Sequence, residues 1–152
     1  MPNDVTLEGF KELEEALLSI SDGEKADAIQ RTALRAVVEV IQPALIAATP
    51  VRVGKGGKDS LPPGALKAAI RSTIRVPKDG KAATATVGFG ELDHIARFVE
   101  YGHVNPTASR GLKHTPPHPF VRPTEDATHG AALEAYTETL ETQIEAVLAG
   151  KK

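Results

Sequence analysis

Two short segments constrain this chain more than any other part of it: Ile95-Ala96-Arg97-Phe98-Val99-Glu100-Tyr101-Gly102 and Pro119-Phe120-Val121-Arg122-Pro123. They hold three of the six aromatic residues and two of the eleven prolines, in a chain otherwise built of small aliphatics and charge. Glu100 has the setting of a buried acid. The concentration predicts a specified structural junction, with Phe98, Val99 and Phe120 in the core, Gly102 stopping a helix, and Pro119 and Pro123 fixing turns. A buried Glu100 would need hydrogen-bond donors, from backbone or arginine, to offset its desolvation.

The 152 residues suit a single domain, 1–152, because one core usually takes roughly 100–200 residues. A hydrophobic share of 41% and a charged share of 25% place the chain in the globular range. There is no cysteine, which removes disulfides, thiol nucleophiles and thiolate metal sites and suits a reducing cytoplasm or a particle assembled there. No apolar run approaches the roughly 20 residues of a membrane helix, since Glu39 and Pro43 interrupt the longest candidate. Met1-Pro2-Asn3-Asp4 lacks the basic start of a signal peptide, so a soluble protein without Sec-type export is expected.

The net charge of -2 conceals a partition. Residues 1–25 carry seven acids against Lys11 and Lys25, and residues 124–150 carry six acids and no lysine or arginine. Between 50 and 82 the sign reverses, with Arg52, Lys55, Lys58, Lys67, Arg71, Arg75, Lys78 and Lys81 against Asp59 and Asp79. Acidic ends around a basic middle can pair neighbouring copies by charge complementarity, although solvated faces give the same pattern.

Periodicity supplies the elements. Phe10, Leu13, Leu17 and Ile20 recur at helical spacing over Gly9 to Ile20, with acids on the other face. Ser21-Asp22-Gly23-Glu24 reads as a capping box ahead of a long helix whose stripe is Ala26, Ile29, Ala33, Ala36, Val37, Val40, Ile41, Ala44 and Leu45. Pro43 is expected to kink that helix or end its regular part. Ala65 to Ile70 suits a helical turn, while Ser72–Val76 and Ala83–Phe89, joined by a turn at Lys78-Asp79-Gly80-Lys81, form a hairpin. Ile95, Phe98 and Val99 predict a short helix ending at Gly102, with a strand as the alternative. Mobile loops are expected near 52–64 and 103–118, and Thr124 is expected to cap a final helix with the stripe Ala127, Leu133, Tyr136, Leu140, Ile144, Val147 and Leu148. The fold class is therefore α+β: a small antiparallel β-sheet packed against a long N-terminal helix and a C-terminal helix.

Recognisable chemistry is sparse. Gly54 to Ser60 imitates a phosphate loop, but Arg52 stands where its first glycine belongs and Asp59 where its hydroxyl belongs. His114 and His118 are four apart, yet Pro116 and Pro117 exclude the helix that would aim both rings at one ion. Glu100 beside His94 or His103 could work as an acid/base pair, but no nucleophile or oxyanion site accompanies it at a known spacing. No catalytic, cofactor or metal residue is assigned.

In order and motif the chain resembles the small tail-completion, or head-tail joining, proteins of long-tailed double-stranded DNA phages and prophages. The resemblance runs from Leu7-Glu8-Gly9-Phe10 through the long helix, Thr49-Pro50-Val51 and Leu66 to Ala96-Arg97-Phe98-Val99-Glu100-Tyr101-Gly102, Pro119-Phe120-Val121-Arg122-Pro123 and the last helix. Two departures are the glycine-rich insertion at Arg52 to Pro63 and His103 where a threonine is usual. The resemblance implies a virion protein that forms a ring, six copies by tail symmetry, at the head-proximal end of the tail or neck. Such a ring, of the minor tail component or tail-terminator type, would join the major tail protein to the head connector or stopper and have no enzymatic activity. A connector stopper retaining DNA in the head, or a nucleic-acid-binding module using the basic 50–82 segment, are the alternatives. Candidate contacts with subunits or with DNA in the lumen are Arg52, Lys55, Lys58, His103, Arg110, Lys113 and His114; the structural motif is Phe98, Glu100, Tyr101, Gly102, Pro119, Phe120, Arg122 and Pro123.

Overall fold

A computed structural model describes residues 23–53, 60–78, 82–105 and 113–150. The expected helix Gly9–Ile20, the Ser21 cap, the centre of the turn at 79–81 and the candidates Lys55, Lys58 and Arg110 lie outside the described residues. The described elements run α1 (Gly23–Ala48), α2 (Ala65–Ala68), β1 (Arg71–Arg75), β2 (Thr84–Gly88), a 3-10 turn (Gly90–Leu92), α3 (Asp93–Tyr101), β3 (His103–Asn105), β4 (Lys113–Thr115) and α4 (Val121–Ala149). This is the expected α+β fold, with two long helices and small antiparallel pairing.

Helix α1 forms because apolar residues recur along it, and Ile29, Ala33, Val38 and Leu45 are its buried positions. It continues through Pro43 to Ala48, where a kink or an end was expected. Both Pro43 and Glu39 are exposed, so the carbonyl that proline leaves unpaired one turn back can bond to water. At the end of α1, Thr49 donates its hydroxyl to Leu45 O at 2.6 Å and is almost fully buried.

The hairpin β1–β2 has the expected antiparallel pairing, with Arg71 opposite Gly88 and Arg75 opposite Thr84. Its β2 strand delivers Val87 and Phe89 to the core, where Leu45, Leu66, Ile70, Phe89, Ala96 and Phe120 bury one another. The core thus sits where the end of α1, the hairpin, α3 and the start of α4 converge. Leu45 of α1 meets Phe120 and Val121 at the start of α4, while Val37 and Ile41 line a groove with Thr128, Ala132 and Tyr136. The two long helices therefore run antiparallel.

Three expectations about packing are corrected. The segment 103–118 is not loop throughout: its two ends pair as the ribbon β3–β4, with His103 opposite Thr115 and Asn105 opposite Lys113. Strands of three polar-rich residues have no apolar alternation to announce them. The buried positions of α4 are Thr124, Thr128 and Ala132, whereas Ala127, Leu133, Ile144 and Leu148 are exposed and Tyr136, Leu140 and Val147 half-buried. Threonine can line this contact because each hydroxyl bonds within the helix, Thr124 to Phe120 O at 2.7 Å and Thr128 to Thr124 O at 2.8 Å, so neither hydroxyl is left unpaired. Phe98, expected in the core, is 46% exposed. On α3 the inward positions are Ala96 and Glu100, and a residue midway between them projects to the opposite side of the helix.

Candidate functional site

The two motif segments meet at one point, and the meeting is made by Glu100. Its carboxylate is 5% exposed, and Oε2 accepts the backbone N–H groups of Phe120 at 2.7 Å and Val121 at 2.9 Å, while Oε1 accepts that of Arg122 at 3.3 Å. These are the first amides of α4. A helix begins with four N–H groups that have no partner of its own. Here Phe120, Val121 and Arg122 donate to Glu100, and the fourth position is Pro123, which has no N–H to satisfy. Glu100 thus supplies, from α3, the capping acceptor for a helix that starts twenty-one residues later, a role negative charge favours at the positive end of a helix.

This assigns the motif residues differently from the sequence. Thr124 does not cap α4; it sits inside the first turns and bonds back to Phe120 O. Pro123 is not a turn residue but the amide-free position of the first helical turn. Pro119 lies in the exposed extended segment before the helix. Burial pushes the Glu100 carboxyl up, but the amides of Val121, Phe120 and Arg122, together with the Arg122 charge, outweigh it and hold the group below its ordinary value. The acid is therefore kept ionised.

Around the carboxylate the junction closes from several sides. The Phe120 ring is buried and meets Phe89 edge to face, with centroids 5.7 Å apart and planes at 72°. The Arg122 guanidinium lies 4.9 Å from the ring centroid of the exposed Tyr101, and its Nε is 3.9 Å from Glu100 Oε1. His118 donates its backbone N–H to Val99 O at 2.8 Å, tying the segment before α4 to α3. Gly102 ends α3 with φ 74° and ψ 168°, a conformation costly for any residue with a side chain. A Cβ there would stand 2.6 Å from Thr115 O and 2.9 Å from Pro117 N, so the bare backbone lets the ribbon and the Pro116-Pro117 segment lie against the end of α3.

Of the described contact candidates, His103, Lys113 and His114 share the β3–β4 ribbon, while Arg52 follows α1. Arg52 is exposed and lines an apolar groove of about 520 Å³ with Val51, Leu61, Pro62, Val99 and His118. Lys113 and His114 are exposed on β4. His103 is half-buried beneath the Phe98 ring, 5.1 Å between centroids, and Phe98 also meets His94 edge-on at 6.3 Å. Sequence reasoning did not pair Phe89 with Phe120 or Glu100 with α4. The available signals were a phenylalanine directly after a strand and a proline two positions into an otherwise helical pattern.

Among the described residues no group of three or more His, Cys, Asp or Glu side chains could hold a metal ion, and no helix is long and apolar enough to cross a membrane. No curated protein and no solved structure matches the chain. A family model does, over residues 11–102, and its description is "Bacteriophage HK97-gp10, putative tail-component". The matched span includes α1, the hairpin and all of α3 up to Gly102, and stops before the segment that Glu100 holds. With more than half of its length matched, the chain belongs to the HK97-gp10-like family of bacteriophage tail components.

Proposed function

We propose that the chain is a structural subunit of the phage tail, without enzymatic activity, that forms a ring at the head-proximal end of the tail, completes it and joins it to the head connector. The observation that carries this reading is the family match, which makes the chain a component of the virion in contact with other virion proteins. Six copies, set by tail symmetry, would contact the major tail protein on one side and the connector or stopper on the other, after assembly in the host cytoplasm.

The geometry supports a scaffold role. Glu100, the acid best placed for acid/base chemistry, has its oxygens engaged by three main-chain amides and is held ionised, which leaves it neither a proton to donate nor a free lone pair aimed at solvent. The described basic residues Arg52, Lys67, Arg71, Arg75 and Lys78 lie along one stretch of chain, while α4 carries Glu125, Asp126, Glu134, Glu138, Glu141 and Glu145. Opposite charge on different parts of one subunit suits copies arranged side by side in a ring.

The test is electron microscopy of particles made without this gene. Filled heads beside unjoined tails, or tails of irregular length, are the expected outcome; heads that fill and then lose their DNA would favour the stopper role. Infectious particles of normal appearance would overturn the assembly reading. Binding of the purified protein to DNA that weakens steeply with salt would instead favour the nucleic-acid reading.

A further inference from the structure

The far half of α4 carries an apolar stripe over which no described residue packs closely. Leu133 is 59% exposed and Ile144 and Leu148 each 39%, with Tyr136 and Leu140 half-buried between them. At its upper end the stripe runs into an apolar groove of about 430 Å³ between α1, β2 and α4, lined by Val37, Ile41, Val87, Val121, Leu133 and Tyr136. Leu133, Tyr136, Leu140 and Ile144 recur at three- and four-residue intervals, the pattern of a helix face that packs on another helix.

We propose that this face is the docking site of the chain's own residues 9–20. The argument is one of connection, length and register. Residues 9–20 carry the apolar stripe Phe10, Leu13, Leu17 and Ile20, and only Ser21 and Asp22 separate them from the start of α1 at Gly23. So short a link between two helices produces an antiparallel pair. A helix that folds back along α1 runs parallel to α4, because α1 and α4 are themselves antiparallel. Leu45 meets the start of α4, so 22 residues earlier, about 33 Å along α1 at 1.5 Å per residue, Gly23 stands level with about residue 143 of α4. The returning segment therefore starts beside Ile144. From Phe10 to Ile20 is about 15 Å of helix and from Leu133 to Ile144 about 16 Å, which sets Ile20 by Ile144, Leu17 by Leu140, Leu13 by Tyr136 and Phe10 by Leu133.

The alternative position on the outer side of α1 offers no comparable surface. Over the same length the exposed residues there include Glu24, Lys25, Gln30, Arg31, Thr32 and Arg35. Docked on α4, the segment covers the apolar stripe and turns Glu8, Glu12 and Glu15, which share its opposite side, to solvent. An acidic surface then runs along this end of the subunit.

Because the chain has no cysteine, a disulfide can report the register without background. The full-length variant Leu17→Cys with Leu140→Cys is expected to close an intramolecular disulfide under mild oxidation, since Cα atoms within about 7 Å are required and facing helix positions supply it. The mismatched pair Phe10→Cys with Ile144→Cys should close at least tenfold less. Non-reducing electrophoresis at several protein concentrations separates the outcomes: a compact monomer independent of concentration supports the proposal. Covalent dimers, which put a second copy on this face, equal closure of both pairs, or no closure, would overturn it. A second measurement needs no cysteine: hydrogen exchange of the unmodified chain should show protected amides over residues 10–20. Leu140→Asp should speed their exchange at least tenfold while leaving residues 124–132 unchanged, and equal exchange in the two proteins would sink the idea.

Discussion

The two halves of α4 are held by different means. From Val121 to Ala132 the helix is fixed by a carboxylate on its first amides, by an aromatic pair before its first turn, and by Thr124, Thr128 and Ala132 buried among its neighbours. From Leu133 to Ala149 no residue is fully buried, and the large apolar side chains stand at or near the surface. The same helix is thus built into the core at one end and only half-covered at the other. The difference shows that the sequence motif Pro119–Pro123 marks an anchorage, while the richer apolar pattern downstream marks a face that no described residue fully covers.

The largest test of the anchored half is Phe120→Ala. It removes a buried ring from the contact with Phe89, and a loss of about 3–5 kcal/mol in unfolding free energy is expected from denaturant titration. Retention of near-normal stability would mean that the junction is not where the molecule is held.

Gly102→Ala comes next. The backbone conformation alone costs an alanine about 1–3 kcal/mol, and the close approach of Thr115 O and Pro117 N adds to it. Hydrogen exchange should show the β3–β4 amides released before those of α1; unchanged protection there would separate the ribbon from the junction.

Glu100→Gln keeps the shape and removes the charge, at an expected cost of about 1–3 kcal/mol at neutral pH. Its pH dependence has a defined sign. The folded carboxyl titrates below its ordinary value, so its contribution is fully present above the unfolded value, near pH 4.3, and is lost as pH falls through the folded value. Stability curves of the parent and of Glu100→Gln should therefore converge below about pH 4; a constant gap would place the stabilisation elsewhere.

The smallest effect is a gain. Gly130 lies inside α4 near the border of the two halves, exposed, with nothing within 4 Å of a Cβ placed there. Gly130→Ala is expected to stabilise by about 0.5–1 kcal/mol through helix propensity. A rise in thermal midpoint without a change in exchange near Glu100 would show that the halves can be tuned separately.

Legibility in the sequence followed the strength of the local pattern. Helix α1, the β1–β2 hairpin and α3 up to Gly102 each carry a repeat that local rules can read, and each lies close to where the spacing puts it. Glu100 was readable as an acid needing donors, but not its partners, because no local rule relates a residue in one helix to amides twenty positions on. The inward face of α4 was misread for a related reason. Threonines that satisfy their hydroxyls on their own helix can be buried cheaply, so the polar residues Thr124 and Thr128 went inside and leucines stayed out. Hydrophobicity alone puts Phe98 in the core, but the inward positions of Ala96 and Glu100 turn it outward.

The Glu100 anchorage also has a mechanical side. Twenty-nine residues make α4 a rod of about 43 Å, pinned at its first turn by three hydrogen bonds to a single side chain and packed along α1 beyond it. A tilt of about 5° at that pivot swings the other end through about 4 Å, roughly the width of a side chain. A neighbour that grips the far end has that much leverage on the turn the carboxylate holds.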